Sequence, residues 1–400
     1  MYFLILFVGR KAMEINMTKK LYDKDAYLKE FTAVVQLCEK AENGYDVILD
    51  QTAFFPEGGG QAADGGTIDG IKVIDVQEKG GAIIHTIEEP LENGQEVSCA
   101  LDWETRFSRM QAHSGEHIVS GVVHSTFGYS NVGFHMSDEL MTVTFDGVLT
   151  PDDIIKVEIE SNRAVYRNLE IKAINPSKEE LEKLEFRSKI ELGDDARIVI
   201  IGDVDSCACC APHVARTGEI GLIKIVNSYA YKQGTRIEML AGSLALFDYI
   251  NLNTSNKELM ALLSASRKSV NEAVIKQNEQ LIALRTQNAQ MSKELAFLKL
   301  NPVSAGDGAY AITKDLSFDE LRYCSNNLLD KGIKTCVLLS QNSDGVAYVV
   351  SSKTEDVREI VKTLNEKFKG KGGGKPDYAQ GKLADCNEEE LKATIKEMLK

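Results

Sequence analysis

Between residues 18 and 101, apolar and polar positions alternate in short stretches, as in 45–49, 67–74 and 82–87, with Gly-Gly and Asn-Gly pairs between or after them. Period-two alternation broken by turn residues predicts a small β-barrel or meander. At Asp102 the period changes. Asp102 is a good helix N-cap, Glu104 falls in the first turn, and Phe107, Met110, Ile118, Val119 and Val122 recur at helical spacing. From 141 to about 246 strand and helix mix, with a helix over 152–168 and strands over 197–201, 222–226 and 237–240.

A different pattern follows. Leu263, Val270, Gln277, Leu284, Met291 and Leu298 fall every seven residues, and Val274, Leu281, Asn288 and Leu295 form a companion row four residues later. Two such rows predict a coiled coil or long helical hairpin, with Gln277 and Asn288 as polar positions that fix register or oligomer state. Pro302 stops the helix. The remainder alternates again, with helices over 318–330 and 354–368, strands over 335–339 and 345–350, and a Gly-rich loop near the end. The expected fold is α+β and multidomain. Residues 17–101 form a barrel, 102–250 an α/β domain, 251–301 a helical linker and 302–400 a C-terminal α/β domain.

Composition adjusts this picture in three places. The formal net charge of −14 makes the surface as a whole repel polyanions, so a nucleic-acid partner requires a local basic patch. Eight cysteines, three of them crowded at Cys207, Cys209 and Cys210, read as metal binding in a cytoplasmic protein rather than a disulfide framework. The apolar run 2–8 has no basic region before it and is too short to span a bilayer, and no other run is long enough. Residues 1–16 are therefore read as a start-site extension, with Met13 or Met17 the expected natural start; an extra buried strand is the alternative.

Chemistry concentrates in two motifs. His113-Ser-Gly-Glu-His117 lies on the helix opened by Asp102, where a spacing of four puts both imidazoles on one face. Cys209-Cys-Ala-Pro-His213 supplies a second pair beyond the strand at 197–201. Three His and one Cys suit tetrahedral zinc. The first motif also reads H-x-x-E-H, a metalloprotease pattern with Glu116 as general base, but that site expects a carboxylate as third ligand. His85, His124 and His135 show no paired spacing.

These residues resemble a known family. Thr52-Ala-Phe-Phe-Pro-Glu-Gly-Gly-Gly-Gln-Ala-Ala-Asp64 resembles the Gly-Gly-Gln signature of the alanyl-tRNA synthetase editing region. So do the His113–His117 helix motif, the single stretch Cys209-Cys-Ala-Pro-His-Val-Ala-Arg-Thr-Gly-Glu-Ile-Gly221, and Gly234-Thr-Arg-Ile-Glu238. Gly372-Gly-Gly-Lys-Pro-Asp-Tyr-Ala-Gln-Gly381 resembles the Gly-rich loop of the DHH-associated C-terminal domain. The order of the five motifs matches the long form of the AlaX-type trans-editing proteins, which lack a synthetase core. Where synthetases usually carry Cys-Gly-Gly-Thr-His, this chain has Cys209-Cys-Ala-Pro-His213, whose Pro212 stiffens the ligand loop.

The resemblance implies a hydrolase that removes serine or glycine from mischarged tRNA(Ala), with Zn2+ held by His113, His117, Cys209 and His213. It implies further that Gly59 and Gly60 donate backbone amides to substrate, that Gln61 orients substrate or water, and that Thr52 meets a serine hydroxyl. tRNA contacts are expected at Arg236 and at Lys371, Gly372, Gly373, Gly374 and Lys375. The last five lie within an interval, 353–375, that holds seven Lys or Arg against four acidic residues. No membrane partner is expected. The heptads and C-terminal domain predict a homodimer. The rival reading from another class is a non-catalytic tRNA-binding module with a structural zinc.

Overall fold

The alternating stretches close into a barrel. Its six strands follow one another in the order Glu96–Leu101, Glu30–Ala41, Gly44–Leu49, Ala82–Ile87, Ile71–Lys79 and Gly66–Ile68. Val35, Val47, Leu49, Ile68, Val76, Ile83, Ile87 and Val97 fill the interior, joined by Phe54 from the segment that leads to the Gly-rich motif. The stretch read as one strand over 67–74 is a hairpin. Asp69 and Gly70 both have positive φ, 53° and 81°, which is the two-residue turn that matches strand twist.

The computed structural model describes residues 3–8, 11–188, 196–343, 345–384 and 387–400, in two units, Met1–Asn256 and Lys257–Lys400. Ahead of the barrel, Phe3–Val8 pairs antiparallel with Lys11–Asn16 in a sheet of its own. Residues 1, 2, 9 and 10 of the expected extension lie outside the described residues.

After the barrel, Asp102 accepts a hydrogen bond from the Thr105 amide and opens helix Trp103–Phe127, which ends on left-handed Gly128. This helix packs into a core shared with an antiparallel four-stranded sheet, ordered Asn131–Met136, Met141–Phe145, Gly234–Ala241 and Ile223–Tyr231. Met110, Ile118 and Val119 meet Val143, Phe145, Ile237 and Met239 there. The next helix begins at Pro151 rather than 152, because Thr150 and Asp153 form a capping box and Pro suits the first helical position. A small sheet of Ile171–Ile174, Ile198–Ile201 and Asp205–Ala208 carries the chain toward the second ligand motif.

In the second unit a six-stranded sheet runs in the order Val303–Ala305, Gly308–Lys314, Thr335–Asn342, Gly345–Ser352, Tyr378–Leu383, Lys371–Lys375. Its central strand is buried on both faces. Cys336 and Leu338 pack with helix Phe318–Asp330, and Val337 and Leu339 with helices Arg358–Lys367 and Glu388–Met398. The predicted linker is two helices, Ser243–Leu263 and Val270–Lys299, interrupted after Leu263 by Ser264 at positive φ. The unit boundary falls inside the first of them. Most heptad positions of the second helix are exposed in this chain, including Val274, Leu281, Leu284, Met291, Leu295 and Leu298. Its C-terminal end is held through Ala296, Phe297 and Leu300 against Leu321 and Leu328.

The expected Gly-rich loop is instead the edge strand Lys371–Lys375. Glycine is required there by space. A Cβ on Gly372 or Gly381 would stand 2.2 or 2.4 Å from the Tyr348 hydroxyl, which lies over both and donates to Asn365 at 2.9 Å.

Candidate metal centre and active site

The two ligand motifs meet. Donor atoms of His113, His117, Cys209 and His213 all lie within 4.8 Å of one another. Helix Trp103–Phe127 presents His113 and His117 one turn apart, with ring centroids 5.4 Å apart, and the His213 ring faces both, at 5.0 and 4.7 Å. Cys209 Sγ sits 3.6 Å from His113 Nε2 and 3.4 Å from His213 Nε2. Tetrahedral zinc with its usual N and S bond lengths sets N···S edges at about 3.5 Å. The donors therefore fit that ion in type and in spacing.

Each imidazole is held from behind through Nδ1, which turns Nε2 toward the shared centre. His113 Nδ1 donates to Gln61 Oε1 at 2.9 Å, His117 Nδ1 to Asp205 Oδ2 at 3.1 Å, and His213 Nδ1 to Ser114 Oγ at 3.0 Å. This arrangement of a donor ring anchored by a second hydrogen bond is typical of metal-ligating histidines. Burial alone pushes the Cys209 thiol up, but the surrounding imidazoles outweigh it and hold its pKa well below the usual thiol value. Burial, reinforced by the neighbouring rings, lowers His213 to about 3. Burial also opposes protonation of His117, yet the Asp205 carboxylate and the Cys209 sulfur win and raise it. A thiolate-prone sulfur ringed by imidazoles is the electrostatic signature of a cation site.

The Gly-rich motif forms one wall. Gly58 and Gln61 exchange two backbone hydrogen bonds of 3.0 Å across Gly59 and Gly60, whose φ values are 62° and 85°. Two consecutive left-handed residues make this a tight turn that favours glycine. Gly60 lies against Phe134, where a Cβ would approach to 2.8 Å, and Phe134 in turn packs on the His113 ring at 5.1 Å. Gln61 follows directly. Its Oε1 is taken by His113, and its buried Nε2 finds no partner among the described residues. An unanswered buried donor beside this group of donor side chains is a place prepared for an acceptor that arrives with a ligand.

Several supporting residues carry no pattern in the sequence. Arg106, fully buried, binds Asp64 through Nε and Nη2 and the Ala53 carbonyl through Nη2, fastening the Gly-rich segment to the ligand helix. The Arg197 guanidinium donates to the carbonyls of Cys209 and Ala211 at 2.9 Å and so shapes the ligand loop. These contacts hold His213 in the cluster despite the departure at Pro212.

Not every expected residue comes to this centre. Thr52 is fully buried in the barrel. Its hydroxyl accepts from the Phe54 amide at 3.1 Å and lies 2.9 Å from His85 Nε2, while His85 Nδ1 bonds Val47 O. A direct contact with substrate would require that hydroxyl to leave His85. Glu116, the general base of the metalloprotease reading, instead receives the Ser120 hydroxyl and the Asn131 amide, each at 2.5 Å. No carboxylate belongs to the four-residue donor group, which speaks against the protease reading. Arg236 stands on the sheet face opposite Ile237, its guanidinium 3.6 Å from the Tyr231 ring centroid and its Nε bonded to Thr144. Lys371, Gly372, Gly373, Gly374 and Lys375 are exposed on the edge strand of the second unit.

Comparison with known proteins follows the same order of parts. Residues 11–105 match class II (A) tRNA synthetases, 196–238 the threonyl and alanyl tRNA synthetase second additional domain, and 306–400 the DHHA1 domain. The alanyl-tRNA editing protein AlaX-L of Pyrococcus horikoshii is 28% identical over 393 residues, covering 93% of this chain and 96% of that protein. The chain is similar to the alanyl-tRNA editing proteins along nearly its whole length. The mouse editing protein Aarsd1 is 28% identical over 388 residues, covering 90% and 93%. The alanine–tRNA ligase of Methanoregula boonei is 32% identical over 390 residues but is matched over only 41% of its length. Among the described residues no helix is long and apolar enough to cross a membrane.

Proposed function

We propose that this AlaX-type chain is a cytoplasmic deacylase that hydrolyses the ester between serine or glycine and the terminal ribose of tRNA(Ala). The observation that carries this reading is Gln61, which supports a ligand ring with one end of its amide and leaves the other end as a buried, unanswered donor. Zinc held by His113, His117, Cys209 and His213 would supply Lewis-acid polarisation or a seat for the substrate's amine. The protein's own part is positional. Gln61 Nε2 donates to the ester carbonyl or aligns the attacking water, and the Gly59–Gly60 turn lets the acylated end approach the backbone, where amides stabilise developing negative charge.

tRNA docking falls to Arg236 on the editing region and to the basic interval around the edge strand Lys371–Lys375 in the second unit. The exposed heptad rows of helix Val270–Lys299 support pairing of two chains into a dimer. Four protein ligands also favour a second reading, since a closed tetrahedral shell is what structural zinc sites possess. Incubating the purified protein with seryl-, glycyl- and alanyl-tRNA(Ala), with and without a chelator, separates the two. The deacylase spares alanyl-tRNA, consumes the others and stops when chelated. A protein that binds metal and tRNA but leaves all three esters intact is the binding module.

A further inference from the structure

Behind His117, on the side away from the other ligands, stands a second layer of charge. Asp205 begins the strand Asp205–Ala208, and its carboxylate is nearly inaccessible. One oxygen, Oδ2, takes His117 Nδ1 at 3.1 Å and Arg187 Nη2 at 2.9 Å, and the other takes Arg187 Nε at 2.7 Å. The guanidinium thus clamps the carboxylate with two hydrogen bonds and leaves it one acceptor direction toward the imidazole. The backbone is built around this contact. Arg187 is itself pinned to the strand through its amide to Ser206 O and its carbonyl to the Ala208 amide. On the ligand helix, Gly121 makes room for the strand, since a Cβ there would stand 2.8 Å from that of Asp205.

Asp205, Cys207 and His117 also lie close enough to one another to form a donor group of their own. The arginine argues against a cation there. Its guanidinium occupies both carboxylate oxygens, and it would repel a second ion.

We propose that Asp205 and Arg187 are positioning residues for the metal ligand His117. Asp205 fixes the tautomer that carries the proton on Nδ1 and points the Nε2 lone pair at the centre, and Arg187 locks Asp205 in the orientation that does so. The inference rests on the metal-centre reading above. Hydrogen-bond partners of metal-ligating histidines are worth about 10- to 100-fold in metal affinity, and that range is expected here.

The test measures zinc affinity of the metal-free full chain by competition with a chromophoric chelator, together with the visible spectrum of the cobalt(II) form. Asp205→Ala and Arg187→Ala should each weaken zinc by about 10- to 100-fold and alter the cobalt bands. Cys207→Ala, a buried change on the same strand, should leave both readouts as in the parent protein. The cleft of about 370 Å³ lined by Arg187, Asp205, Gly121 and His124 offers a rescue. Added guanidinium should restore affinity to Arg187→Ala and not to Asp205→Ala. Should Asp205→Ala fail to fold, Arg187→Ala with and without guanidinium still decides. Parent-like zinc affinity in Arg187→Ala, or loss of metal on Cys207→Ala with Cys209→Ser unaffected, overturns the proposal. A parent protein that binds no zinc or cobalt overturns instead the metal-centre reading on which it stands.

Discussion

Two long helices of this chain have opposite fates. Trp103–Phe127 has 25 residues, of which 14 are buried, among them Arg106, His113, Ser114, Glu116, His117 and Ser120. Val270–Lys299 has 30 residues and buries only Val270 and Ala296. By heptad spacing the second carries two apolar rows, each broken once by a polar residue, Gln277 and Asn288. The first is buried because other segments answer its polar groups: Asp64 for Arg106, Gln61 for His113, Asp205 for His117 and Asn131 for Glu116. Periodicity reports which face wants covering. It does not report whether the chain carries the cover.

The sharpest test of that contrast is Arg106→Met, which keeps the volume and leaves Asp64 as a buried, unpaired carboxylate. Breaking one side of a buried ion pair costs about 3–5 kcal/mol, so chemical denaturation of the variant should show a midpoint far below the parent's. Gln61→Ala comes next. With the fold retained, deacylation of seryl-tRNA(Ala) should fall about 10²- to 10³-fold, the usual consequence of losing one donor to a developing oxyanion, and single-turnover rates measure it.

Thr52→Val should cost about 1–3 kcal/mol by leaving His85 Nε2 buried without a donor, read from thermal unfolding. Serine-over-alanine discrimination in the same variant separates a hydroxyl that serves substrate from one that serves only His85. His85 also has a pH signature. Burial lowers its pKa to about 4 from the ordinary 6.5, so the unfolded chain takes up the proton first. Its contribution is complete above pH 6.5 and is lost as pH falls toward 4; in His85→Gln the decline of stability over that window should be shallower than in the parent. The mildest effect belongs to the exposed helix. Leu284→Glu with Met291→Glu should change monomer stability by no more than about 0.5 kcal/mol, and, if the proposed pairing holds, sedimentation of the variant should shift from dimer to monomer.

Much of this was legible in the sequence. The barrel stretches at 45–49 and 82–87, the Asp102 cap and the four donors all follow from spacing. The hairpin at Asp69–Gly70 was missed because its two short strands share one alternation across the turn. The edge strand Lys371–Lys375 was read as a loop because glycine runs ordinarily favour turns, whereas here they make space for the Tyr348 hydroxyl. Asp205, Arg187, Arg197 and Ser114 left no signal at all. Each is a single polar residue whose partner lies in a distant segment, and no local period marks such a pair.

His113 and Cys209 are separated by 96 positions, and the intervening chain contains two strands of the four-stranded sheet and the helix Pro151–Tyr166. An ion gripped by both ends would close a very large covalent circuit, and clips across long loops restrict the unfolded chain most. Chelation should therefore do more than empty a pocket. It would release a staple, and the whole stretch between the two motifs should exchange its amide hydrogens faster.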